Sequence, residues 1–169
     1  MLLLIFALTA PCQAQQHKAS EAVKASEAVK GVDGKYFDAN GDPTYKISPD
    51  GTVDWYTMSG YLRYNGTCNV CHGPDGNGSS FAPTLTSSLK SMSYTDFTTT
   101  VIAGRNNVTS SQESVMPSFG TNRNVMCYLD DIYVYLRARS DGALAGGRPA
   151  NNEPKSAGAK KAEDECMGP

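Results

Sequence analysis

The pentapeptide Cys68-Asn69-Val70-Cys71-His72 constrains this chain more than any other stretch. Two thiols three positions apart can each bond one vinyl group of a haem, and a histidine beside the second thiol stands within reach of the iron. Two other readings compete. A Cys-x-x-Cys pair can form half of a zinc site, but zinc takes four ligands, and the chain offers only His17, His72 and three further cysteines with no second close pair. A thioredoxin-like redox pair expects a βαβ setting and leaves His72 without a role. Covalent attachment of a single haem c uses all three side chains and is the expectation.

A chain of 169 residues, 40% of them hydrophobic, can bury one modest core, to which a covalently held porphyrin adds a large apolar insert. One domain with tails is expected. The net charge is −2 and no basic run exceeds Lys160-Lys161, so a phosphate-tracking surface for nucleic acid is not expected. Residues 1–14 are apolar from Leu2 to Ala10 and end in small or polar residues, although the usual basic start is missing. That run is too short to span a membrane and suits a signal peptide cleaved after Ala14, which implies export to the periplasm and an oxidising compartment. Acylation at Cys12 is disfavoured by Pro11 before it. Residues 15–33 hold Ala-Ser-Glu-Ala-Val-Lys written twice, at 19–24 and 25–30, and are expected to be a flexible or short helical leader.

A β-prone rhythm follows. Tyr36-Phe37, Tyr45-Lys46-Ile47 and Thr52-Val53-Asp54-Trp55 are separated by Asn40-Gly41 and Pro49-Asp50-Gly51, which predicts a small meander. Asp38, Asn40 and Asp42 alternate as at the start of a calcium loop, but Pro43 stands where such a loop needs glycine and Pro49 where it needs glutamate. A hairpin turn is the favoured reading.

Gly60, Tyr64 and Cys68 recur at spacing four and share one face of a helix, at whose Gly60 a second helix can cross closely. Residues 128–140 supply that helix: Leu129, Ile132, Tyr133 and Leu136 make its apolar face, Asp130 and Asp131 lie in its first turn, and Arg137 and Arg139 in its last. The order Gly-x-x-x-aromatic, Cys-x-x-Cys-His, a later Met-Pro and a closing helix with Tyr135-Leu136 resembles the class I cytochromes c from Trp55 to Gly142. The resemblance implies a mainly α class I fold, here with an N-terminal β meander and a long C-terminal tail.

Within that frame Met116 is the expected distal iron ligand opposite His72, because Pro117 restricts it to extended backbone, as a strap over the haem needs. A methionine packed in the core is the alternative. The resemblance further implies that Pro83 lends its carbonyl to the imidazole proton not facing the iron, and Arg105 is a candidate partner for a haem propionate. Cys127 and Cys166 are left over and in an oxidising compartment are expected to pair, which would tether an otherwise irregular tail over 143–169 to the 34–142 domain.

The resemblance then sharpens. Asp50-Gly51-Thr52-Val53-Asp54-Trp55-Tyr56, Cys71-His72-Gly73-Pro74-Asp75-Gly76, Ser114-Val115-Met116-Pro117, Asn124-Val125-Met126-Cys127-Tyr128 and 133–139 are similar to the cytochrome c(L) family over about Gly34 to Pro149. That family comprises periplasmic electron acceptors of quinoprotein methanol dehydrogenases. It implies an electron carrier rather than an enzyme, with single electrons arriving from a pyrroloquinoline quinone dehydrogenase acting on methanol or another alcohol. They leave to a downstream c-type cytochrome. Calcium and a disulfide-tethered tail are also associated with the family, and no residue places the calcium here. A haem-based sensor or haem enzyme with a displaceable sixth ligand is the competing class. Between Asp42 and Gly142 the only lysines are Lys46 and Lys90, so docking without a lysine ring, and with weak salt dependence, is expected.

Overall fold

The computed structural model describes residues 28–31, 33–108 and 113–168. The segment expected to be a signal peptide and most of the expected leader, including the first copy of the hexapeptide, lie outside the described residues. An antiparallel sheet opens the described part, with β1 (Val29–Lys30), β2 (Tyr36–Phe37) and β3 (Pro43–Thr44) in sequence order. Helices follow: α1 (Trp55–Thr67), α2 (Asn69–His72), α3 (Leu85–Ser88) and α4 (Tyr94–Ala103). A hairpin of β4 (Arg105–Val108) and β5 (Glu113–Met116) precedes α5 (Arg123–Met126), α6 (Leu129–Ser140) and α7 (Ala157–Met167). The architecture is mainly helical with a small N-terminal meander, as the sequence predicts.

The meander differs from the sequence reading in its strands. Val29–Lys30, assigned above to the leader, pairs with Tyr36–Phe37, so the second hexapeptide copy ends in the sheet. Tyr45–Ile47 and Thr52–Trp55 form no ladder and meet only in an isolated bridge between Ile47 and Val53. Trp55 is the first residue of α1, because Asp54 caps the helix: its buried carboxylate accepts from Thr57 N at 3.0 Å and from Lys46 N at 2.8 Å. Between β2 and β3 the Asp38 carboxylate accepts from Asn40 N at 2.8 Å and from Asp42 N at 3.1 Å, a turn bonded to its own backbone.

The crossing of α1 and α6 organises the core. A Cβ built on Gly60 would lie 1.8 Å from the Asp131 carbonyl oxygen and 2.8 Å from Tyr135 Cβ, so the two backbones touch where glycine allows it. Tyr64 and Tyr135 are fully buried beside the crossing, their ring centroids 5.5 Å apart, and Tyr61 packs edge-on to Tyr135 at 5.6 Å. Tyr133 faces the other way, onto Tyr94 and Phe97 of α4.

The tail over 143–169 is not irregular throughout. Ser156 caps α7 by accepting from Ala159 N at 2.9 Å, and Lys160–Asp164 and Lys161–Glu165 pair one turn apart. Good helix formers and local pairs suffice there once a disulfide between Cys127 and Cys166 fixes the far end. Only Ala159 of this helix is buried. No helix among the described residues is long and apolar enough to cross a membrane.

Candidate haem site

Helix α1 delivers the first thiol. Cys68 N bonds to Tyr64 O at 2.8 Å and His72 N to Cys68 O at 2.9 Å, so Cys68, Cys71 and His72 occupy one continuous helical turn. Cys68 is half-buried against the core and Cys71 is exposed; neither is in a disulfide. Burial, and then the neighbouring Cys71 thiol, pushes the Cys68 thiol up to about 11.

His72 is buried, and its Nδ1 stands 3.1 Å from the Pro83 carbonyl oxygen. A carbonyl only accepts, so Nδ1 carries the proton and Nε2 keeps a lone pair available for a metal. The intervening loop is pulled tight around the histidine: Gly78 N bonds to His72 O at 2.8 Å. A Cβ on Gly73, at φ 69°, would fall 2.3 Å from Gly78 O, so this turn admits glycine alone. Ser79 Oγ donates to Cys71 O and accepts from Phe81 N at 3.0 Å, which carries the chain back to Pro83.

Met116 ends β5, directly across the ladder from Arg105 at the start of β4. Its extended backbone and the following Pro117 match the strap expected from sequence. Phe119 N bonds to Val101 O at 3.1 Å and Ser118 Oγ to Ile102 O at 2.6 Å, so the strap is laced onto the end of α4. The Met116 side chain is half-buried and packs on the core, while Arg105 is exposed. The structure thus joins Cys68, Cys71, His72 and Pro83 in one unit and Met116 and Arg105 in another. Val70 and Phe81, 80% and 75% exposed, form an apolar fringe beside the thiols. Two thiols, one oriented imidazole, a thioether and apolar flanks fit a haem c. Among the described residues no group of three or more His, Cys, Asp or Glu side chains is placed to hold a metal ion.

No family model matches the chain. Cytochrome c-553I of Paracoccus denitrificans is 52% identical over 134 residues, which cover 79% of this chain and 59% of that protein. The chain therefore spans less than two thirds of that relative. Cytochrome c-555 of Methylococcus capsulatus is 38% identical over 56% of this chain and 72% of its own length. Among solved structures, the c-type cytochrome XoxG from Methylobacterium extorquens AM1 superposes with a TM-score of 0.77 at 51% identity, over 86% of this chain and 89% of that one. The chain belongs to the c-type cytochromes.

The c-type cytochromes hold haem through thioethers to paired cysteines. In this chain, sequence reasoning named Tyr64 and Tyr135 for the helix crossing and missed their bonds to the site. Tyr64 Oη donates to Gly73 O at 2.5 Å, and Tyr135 Oη to Asp75 Oδ1 at 3.2 Å, so both buried tyrosines end on the loop after His72. Burial raises both phenols, Tyr64 to about 12, and Asp75 adds to the rise in each, so both stay neutral donors. A buried aromatic with a polar tip was the available signal, since such a tip needs a partner.

Proposed function

We propose that this chain is an exported, periplasmic carrier of one haem c that accepts single electrons from a quinoprotein methanol or alcohol dehydrogenase and passes them to a downstream c-type cytochrome. The observation that carries the reading is the buried His72, turned by the Pro83 carbonyl so that Nε2 is free, within one helical turn of two thiols outside any disulfide. Likeness to the cytochrome c(L) sequence segments supports the choice of dehydrogenase, and the named cytochrome relatives support electron carriage.

When bound, a haem c supplies a one-electron iron couple. Cys68 and Cys71 would hold it covalently, and His72 would bind its iron with the ring orientation fixed by Pro83. Met116 would offer the iron a soft, neutral thioether, which favours the ferrous state and raises the reduction potential. The bonds from the strap to α4 would hold that thioether in place. Arg105, opposite Met116 in the ladder, would balance a propionate.

The test is a reduced-minus-oxidised visible spectrum of the holoprotein with and without carbon monoxide, followed by reduction kinetics with a quinoprotein alcohol dehydrogenase across ionic strengths. A narrow α band, a sulfur-to-iron band in the oxidised form and indifference to carbon monoxide are expected. The reduction rate should depend weakly on salt. A carbon monoxide adduct would remove Met116 from the iron and bring the sensor or enzyme reading forward.

A further inference from the structure

Asp75 sits three residues after His72 and is the one non-glycine residue with a left-handed backbone among the described residues, at φ 59° and ψ 16°. Glycine would hold that turn without strain. The identity of the side chain therefore needs a reason beyond the turn. Its bonds supply one: Oδ1 accepts from Tyr135 Oη of α6 at 3.2 Å and from Gly147 N of the tail at 2.9 Å, partners 60 and 72 residues away. The tail backbone runs close over the carboxylate, since a Cβ on Gly146 would meet Oδ2 at 3.0 Å. Among the described residues no hydrogen bond of this carboxylate stays within its own loop.

The loop in turn grips the histidine. Gly78 N bonds to His72 O, and Tyr64 Oη to Gly73 O, so a shift at Asp75 is transmitted to His72 itself and to the residue that follows it. We infer that Asp75 is a positioning residue that ties the loop after His72 to both α6 and the C-terminal tail, so that the seating of the tail sets the position of the imidazole. The inference rests on the reading of His72 as the iron ligand. A purely local role for Asp75, shaping its turn, is the alternative.

Substitution by glycine separates the two, because Asp75→Gly relieves the backbone while removing both long-range bonds. Asp75→Asn removes the charge and keeps an Oδ1 that accepts both. In the holoprotein, amide exchange at Gly147 should accelerate by about tenfold or more in Asp75→Gly and stay near the unmodified rate in Asp75→Asn. The reduction potential of Asp75→Gly should differ from that of Asp75→Asn, a difference that charge alone does not produce. Unchanged protection of Gly147 in Asp75→Gly, or equal potentials in the two variants, would overturn the positioning role. Exchange at Gly147 is read without any redox partner, so failure to couple with a dehydrogenase would count against the proposed function and leave this test standing.

Discussion

The α1–α6 crossing and the C-terminal tail hold themselves in place by opposite means. The crossing is a dry contact of backbones and buried rings around Gly60, Tyr64 and Tyr135. The tail instead makes a chain of separate attachments: Gly147 to Asp75, Asn151 and Glu153 to Val53, Ser156 to Asp33, Arg123 to Met167, and the Cys127–Cys166 bond. Packing of the first kind is lost as a unit when one shape changes. Attachments of the second kind are lost one at a time, and each carries a partner's position with it.

That contrast predicts a graded series. Gly60→Val should have the largest effect, because a Cβ there collides with the Asp131 carbonyl of α6; the holoprotein should fail to accumulate, or unfold with stability lowered by more than about 4 kcal/mol. Removing the disulfide as Cys127→Ser with Cys166→Ser should cost about 4 kcal/mol at most, from a closed loop spanning 39 positions. Hydrogen exchange should show that loss in α7 while α1 and α6 stay protected. If α6 loosened equally, the division between the two regions would be wrong.

A pH-dependent effect belongs to a charge inside the crossing. Asp131 is buried on α6, and burial raises its carboxyl to about 7 from 3.8, with Asp130 and Asp54 adding to the rise and Ser59 and Lys35 opposing it. The folded value lies above the unfolded one. The protonated group's contribution is therefore complete below about pH 4 and is lost as pH rises to about 7. Denaturant unfolding should show stability falling across that window by up to about 1.4 kcal/mol per pH unit, and Asp131→Asn should flatten the slope. An unchanged slope in the variant would place the titration elsewhere.

Legibility in the sequence divides along the same line. Spacing-four periodicity from Gly60 to Cys68 and the charges at the ends of α6 gave the crossing before any coordinates, because close helix packing leaves a repeating mark. The approach of Pro83 to His72 was expected from family resemblance and from no local pattern; the two stand 3.1 Å apart. Helix α7 escaped because only Ala159 is buried, so no apolar stripe announces it, although Ser156 and the lysine–acid pairs one turn apart were there to be read. Asp75 was quoted within a motif and given no role. Its partners lie 60 and 72 residues away, and no short-range pattern encodes such a bond. The strand at Val29–Lys30 was hidden by its repeat, whose helix-forming composition outweighs two residues of sheet.

The bonds at Val53 bear on how the molecule comes into being. Val53 N reaches Asn151 O at 3.1 Å and Glu153 N reaches Val53 O at 2.8 Å, so the residue just ahead of the first helix's cap is completed by the last fifth of the chain. A polypeptide that emerges amino end first cannot finish this segment until residues 151 to 153 have arrived. The segment ahead of α1 is therefore completed only after the helices from α1 to α6 have been made.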